Sequence, residues 1–92
     1  MTNQKFNSVW DALEDTESEA ASMKARSELM SALQDKIESM GVTQAKAAKK
    51  LGVTQPRLND LLRGRINRFS LDALFDLSSR AGISIKIHLK AA

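Results

Sequence analysis

Hydrophobic and polar positions along this chain follow a helical period for most of its length and switch to an alternating one at the end. Over residues 18–40, Met23, Met30, Leu33, Ile37 and Met40 recur mostly at steps of three and four, which draws one apolar stripe on an α-helix. The three methionines on it suit adaptable core filling, with a binding surface as the other use of such a stripe. Ahead of it, Phe6, Val9, Trp10 and Leu13 also sit at helical spacing, followed by the acidic run Glu14, Asp15, Glu17 and Glu19. Residues 1–17 are therefore expected to form a short helix or an arm. Its aromatics either dock on the same subunit or a dimer mate, or anchor a different protein.

Glycines punctuate the rest. Gly41, Gly52, Gly64 and Gly82 stand where helix C-caps belong and divide the chain into helix-length pieces. In the last piece Ser70 is a good N-cap, Asp72 suits the positive end of the helix dipole, and Phe69 is placed to staple onto Leu74. Leu74, Leu77 and Ala81 form the inward face, with Leu71 and Phe75 beside it. After Gly82 the period becomes two: Ile83, Ile85, Ile87 and Leu89 alternate with Ser84, Lys86, His88 and Lys90. This reads as a half-buried β-strand with no second strand in the chain to pair with. Either it packs as a tail on its own helices, or it pairs antiparallel with the same strand of a second copy. The second solution closes about a two-fold axis and predicts a homodimer held by Ile83, Ile85, Ile87 and Leu89.

The run TQAKAAKKLGVTQPRLNDLLR, residues 43–63, meets the steric demands of a helix-turn-helix. Thr43 caps a first short helix, Ala48 is small where a second helix crosses closely, and Gly52 makes the tight turn, where a Cβ would clash or need a costly positive φ. Ala47, Leu51, Val53, Leu58 and Leu61 seal the pair together. Thr54 caps the second helix, and Pro56 falls in its first turn, where it costs no hydrogen bond. Leu58, Leu61 and Leu62 then face inward, which leaves Gln55, Pro56, Asn59, Asp60 and Arg63 outward with Arg57 near that surface. Amide and guanidinium donors at an exposed helix N-terminus suit base edges in the major groove. Gln55 and Asn59 fit adenine, Arg57 fits guanine, and Pro56 fits a thymine methyl. Asp60 either accepts from a cytosine amino group or orients Arg57 or Arg63.

Charge changes this picture by adding a partner. The chain has 92 residues and a net charge of +3, but residues 1–40 carry −4 and residues 41–92 carry +7. A basic half beside an acidic half fits a polyanion-binding module with an acidic appendage. Gln44 at the start of the first short helix is a natural phosphate contact. Lys46, Lys49, Thr54, Arg63, Arg65, Asn67 and Arg68 surround the motif as further phosphate contacts, setting affinity and salt sensitivity rather than sequence choice. The expected partner is double-stranded DNA.

Residues 42–62 resemble the XRE, or Cro/CI-type, family of bacterial and phage regulators. The block LLRGRINRFSLDAL, residues 61–74, looks like the "LLRG…FSLERL" block of a compact subfamily that includes HigA-like antitoxins. That subfamily ends in a short strand like residues 83–89. The resemblance covers about residues 20–90. It implies a mainly α, lambda-repressor-like helix-turn-helix bundle with a C-terminal β-strand pairing across a dimer. It also implies phosphate contact by Gln44, base contact by Gln55, Pro56, Arg57, Asn59 and Asp60, and repression of the protein's own operon, often beside a small toxin protein. Pro56 and Arg57 after Gln55 depart from many relatives, so their operator preference does not transfer.

Three segments are expected on this reading: an arm or short helix over 1–17, the helical domain over 18–82, and a dimerisation strand over 83–92. Two functions compete. One is a dimeric regulator reading a palindromic operator through residues 54–63. The other is an interaction module that neutralises a partner toxin enzyme, with DNA contact secondary. Catalysis has the least support: His88, the sole histidine, lies on the polar face of the strand, and there is no Cys, no Tyr, no Gly-rich phosphate loop and no metal-ligand spacing. No cofactor or metal is expected. With no cysteine, no signal-peptide pattern and no apolar run long enough to span a bilayer, the expected location is the cytoplasm, at the nucleoid, with no membrane partner.

Overall fold

A computed structural model describes the backbone of residues 4–91 and the side chains of residues 16–91. Four α-helices follow one another: α1 (Gln4–Met40), α2 (Gln44–Leu51), α3 (Gln55–Leu62) and α4 (Leu71–Arg80), with one 3₁₀ turn at Ile66–Arg68 between the last two. No Gly or Pro occurs before Gly41, so nothing in the chain breaks the first helix. It runs as a single 37-residue helix, and the expected boundary after residue 17 is not marked by any interruption. The docking expected of Phe6, Val9, Trp10 and Leu13 falls on side chains outside the described residues.

One face of α1 carries the core. Met30, Leu33 and Ile37 are buried and meet Ala47, Ala48 and Leu51 of α2, Leu58 and Leu61 of α3, and Leu74 and Leu77 of α4, with Phe69 and Ala81 completing the cluster. At about 1.5–3 kcal/mol for each large side chain removed from water, these residues supply the main stabilisation. Met23, expected on the same stripe, is exposed instead. The buried line begins only at Met30, two turns further on.

Two polar side chains of α1 fasten the end of α3 and the chain that follows it. The Gln34 amide donates to the Leu61 carbonyl at 3.0 Å and the Leu62 carbonyl at 3.5 Å, meeting acceptors that the end of a helix leaves open. The Arg26 guanidinium donates to the carbonyls of Ile66 and Phe69 at 3.4 and 3.5 Å.

The C-terminal segment departs from expectation. Residues 83–91 form no strand, and among the described residues there is no β-structure at all. A strand needs a partner for its backbone groups, and none of the described residues offers one. Ile83 packs against the core and Ile85 is half-buried, but Ile87 and Leu89 are 65% and 90% exposed. The apolar half of the alternating pattern is therefore covered only at its start. Among the described residues no helix is long and apolar enough to cross a membrane.

Ser78 is fully buried in α4 and its hydroxyl has no hydrogen-bond partner. An unmet buried hydroxyl costs about 1–3 kcal/mol, and Ala is the better helix former. Ser78→Ala is expected to stabilise the protein by about 1 kcal/mol, raising the thermal midpoint by roughly 4–8 °C. A lowered midpoint in a circular-dichroism melt would contradict this.

Candidate nucleic-acid interface

The two short helices are held in place by caps that the sequence encodes locally. Thr43 and Thr54 both take extended backbone angles, and their hydroxyls accept from the N–H groups of Lys46 and Arg57, each at 3.2 Å. Between the helices Gly52 has φ of +71°, and the N–H of Val53 reaches back to the Ala48 carbonyl at 2.9 Å, which closes α2 with a Schellman-type turn. A Cβ at Gly52 would also stand 2.6 Å from Nη1 of Arg80, whose guanidinium donates to the Leu51 carbonyl at 3.1 Å. The arginine end can shift, so backbone strain is the stronger reason for glycine here. Arg80 also pairs with Asp76 at 3.1 Å and ties α4 to this turn.

With the turn fixed, the first residues of α2 and α3 come together. Gln44, Gln55, Pro56 and Asn59 line one shallow depression. Gln44 and Gln55 are each the first residue of their helix, so the positive ends of two helix dipoles open onto the same surface. Of the expected base readers, Gln55 and Pro56 are exposed and Asn59 is half-exposed on this surface. All eight expected phosphate contacts, Gln44, Lys46, Lys49, Thr54, Arg63, Arg65, Asn67 and Arg68, are exposed.

Arg57 and Asp60 are placed differently. Arg57 is half-buried, with its guanidinium 4.1 Å above the Phe69 ring and its Nη1 donating to the Arg68 carbonyl at 2.7 Å. Asp60 orients neither Arg57 nor Arg63, the two arginines its place on the helix suggests; its carboxylate accepts from Arg65 at 3.1 Å and Arg68 at 3.0 Å. Residues 65–68 follow the 3₁₀ turn back along α3, and the Arg65 N–H also donates to the Asp60 carbonyl at 3.0 Å. This bend, which sequence spacing does not reveal, brings those arginines to Asp60. Nothing in the sequence marks Arg26 and Gln34 as supports of the interface, because long polar residues on a helix give no signal of the carbonyls they reach.

A capped helix pair with a glycine turn, an exposed amide-bearing helix face and a rim of lysines and arginines defines a helix-turn-helix DNA-binding protein. The chain matches the helix-turn-helix domain family over residues 12–90 and belongs to that family. Among solved structures it is similar to one described as an XRE family transcriptional regulator, at 26% identity and a TM-score of 0.73, covering 80% of this chain and 83% of that one. No curated protein matches it. The helix-turn-helix is of the XRE type, as the residues of α2 and α3 imply.

Proposed function

We propose that this protein is a dimeric transcriptional regulator that reads a palindromic operator with α3 and represses its own operon. The observation that carries the reading is the convergence of Gln44, Gln55, Pro56 and Asn59 on one open surface rimmed by exposed cations. Gln55 and Asn59 read bases, Pro56 lies against a thymine methyl, and Gln44 with the surrounding Lys46, Lys49, Thr54, Arg63, Arg65, Asn67 and Arg68 holds the phosphates. The alternating residues Ile83, Ile85, Ile87 and Leu89, half of them exposed in a single copy, are suited to pair with a second copy as a β-ribbon. Two-fold pairing would set two recognition helices about 34 Å apart, one turn of DNA. The protein then works in the cytoplasm on the nucleoid.

The related reading, an antitoxin that also captures a small toxin protein, draws support from α1. Residues 17–21 are all exposed although they lie in the middle of a continuous helix, and the sequence there is acidic. That stretch suits a basic partner.

A polarisation titration tests the main reading. At about 150 mM salt, a duplex of the DNA upstream of the protein's own coding sequence is expected to bind at least about 10³-fold more tightly than a scrambled duplex of equal composition. Equal affinity for the two would contradict sequence-specific autorepression.

A further inference from the structure

We propose that Arg57 and Asp60 are positioning residues that hold Arg65 and Arg68 as a paired phosphate clamp beside α3, and that neither reads a base. The inference rests on the DNA-binding reading above and deepens it. Both residues lie on the recognition helix, where a reader would project into the groove. Each is already committed elsewhere.

Arg57 has two contacts to give up before it reaches a base. Its guanidinium covers the buried Phe69 ring at 4.1 Å, and its Nη1 donates to the Arg68 carbonyl at 2.7 Å. A cation over an aromatic face and a charge-assisted hydrogen bond reinforce each other on a half-buried side chain. What Arg57 fixes is the backbone that carries Arg68. Arg26 of α1 donates to the adjoining carbonyls of Ile66 and Phe69, so this segment is held by side chains of both α1 and α3.

Asp60 fixes the side chains of the same segment. One oxygen, Oδ1, accepts from both Arg65 and Arg68, which sets the separation of the two guanidinium groups. The Asp60 side chain is only 16% exposed while the arginines are 41% and 57% exposed, so the cations cover the carboxylate and present their remaining N–H groups to solvent. An open carboxylate on a recognition helix would repel phosphate. Covered by two cations, the trio carries a net charge of +1 and shows its positive side outward. Holding two long side chains in place before DNA arrives removes part of the ordering cost of binding.

A simple charge argument predicts the opposite of this proposal for one variant. Asp60→Asn deletes a negative charge beside a polyanion and on charge alone should bind DNA more tightly. On the clamp account it binds about five- to tenfold more weakly, because Arg65 and Arg68 lose their common anchor. The probe is the duplex that the wild-type protein enriches from a random pool, titrated with the full chain together with single-base variants at several salt concentrations. For both Asp60→Asn and Arg57→Ala the expected result is uniform weakening across all the duplexes, unchanged base preference, and a log–log salt slope shallower by about one to two. Arg57→Lys, which keeps the charge and part of the ring contact, is expected to recover part of the affinity. Thermal melts accompany the titrations; if Arg57→Ala fails to fold, the near-isosteric Asp60→Asn carries the test. Relaxed preference at one base position, or Asp60→Asn binding as tightly as wild type, would overturn the clamp while leaving DNA binding intact. A wild-type protein that binds no duplex would overturn the DNA-binding reading and the clamp with it.

Discussion

Phe69→Ala is expected to remove most of the stability of this protein. The ring is 1% exposed within the core cluster and also carries the Arg57 guanidinium on its face. Emptying a buried phenylalanine site costs about 3–5 kcal/mol through lost transfer energy and the cavity left behind. Losing the cation–π contact adds about 0.5–1 kcal/mol. Single domains hold only about 5–15 kcal/mol in total, and one of this length stands toward the lower end. The midpoint of a urea transition should therefore fall by more than half. A loss below about 1 kcal/mol would mean that Phe69 is not a tightly packed member of the core cluster. Because Phe69 also supports Arg57, any folded fraction should bind DNA weakly without a change in base preference.

The second large effect concerns recognition. Gln55→Ala combined with Asn59→Ala is expected to reduce affinity for the preferred duplex by about 10²-fold or more, since each bidentate amide contact contributes on the order of 1–3 kcal/mol of discrimination. Binding to scrambled DNA should change by less than about threefold, because the phosphate contacts that dominate it remain. Gln55 is exposed and Asn59 half-exposed, so neither change opens the core. Stability should stay within about 0.5 kcal/mol of wild type. Equal losses on both kinds of duplex would remove these residues from the set of readers.

How legible the molecule was in its sequence depended on how local each determinant is. The helix-turn-helix was legible because its caps and turn act over three to five residues. Thr43 and Thr54 accept from N–H groups three positions on, and Gly52 takes the positive φ that its place between the helices requires. The inward leucines of α3 follow from periodicity, and Leu58 and Leu61 are buried. The continuity of α1 was also open to reading, since the chain has no Gly or Pro before Gly41; the acidic run and the gap between apolar clusters obscured it. Contacts over long separations were not legible. Gln34 reaches a carbonyl 27 residues away, Arg26 one 43 away, and Arg57 a ring 12 positions on; all depend on how the elements pack. Arg57 and Asp60 thus read as groove-facing from helical phase, while the bend after Gly64 gives each a partner inside the protein. The C-terminal alternation forms no strand for a different reason: a period of two marks which residues share a face, but a strand also needs a pairing edge, and none of the described residues supplies one.

Selection from a random double-stranded DNA pool at about 150 mM salt tests the central claim most directly, because it presupposes no operator. Wild-type protein is expected to enrich a two-fold symmetric motif with half-sites about 10 base pairs apart, and the Gln55→Ala, Asn59→Ala variant to enrich none. A pool that stays random with the wild-type protein, or a motif that the double variant enriches equally well, would contradict DNA reading by α3.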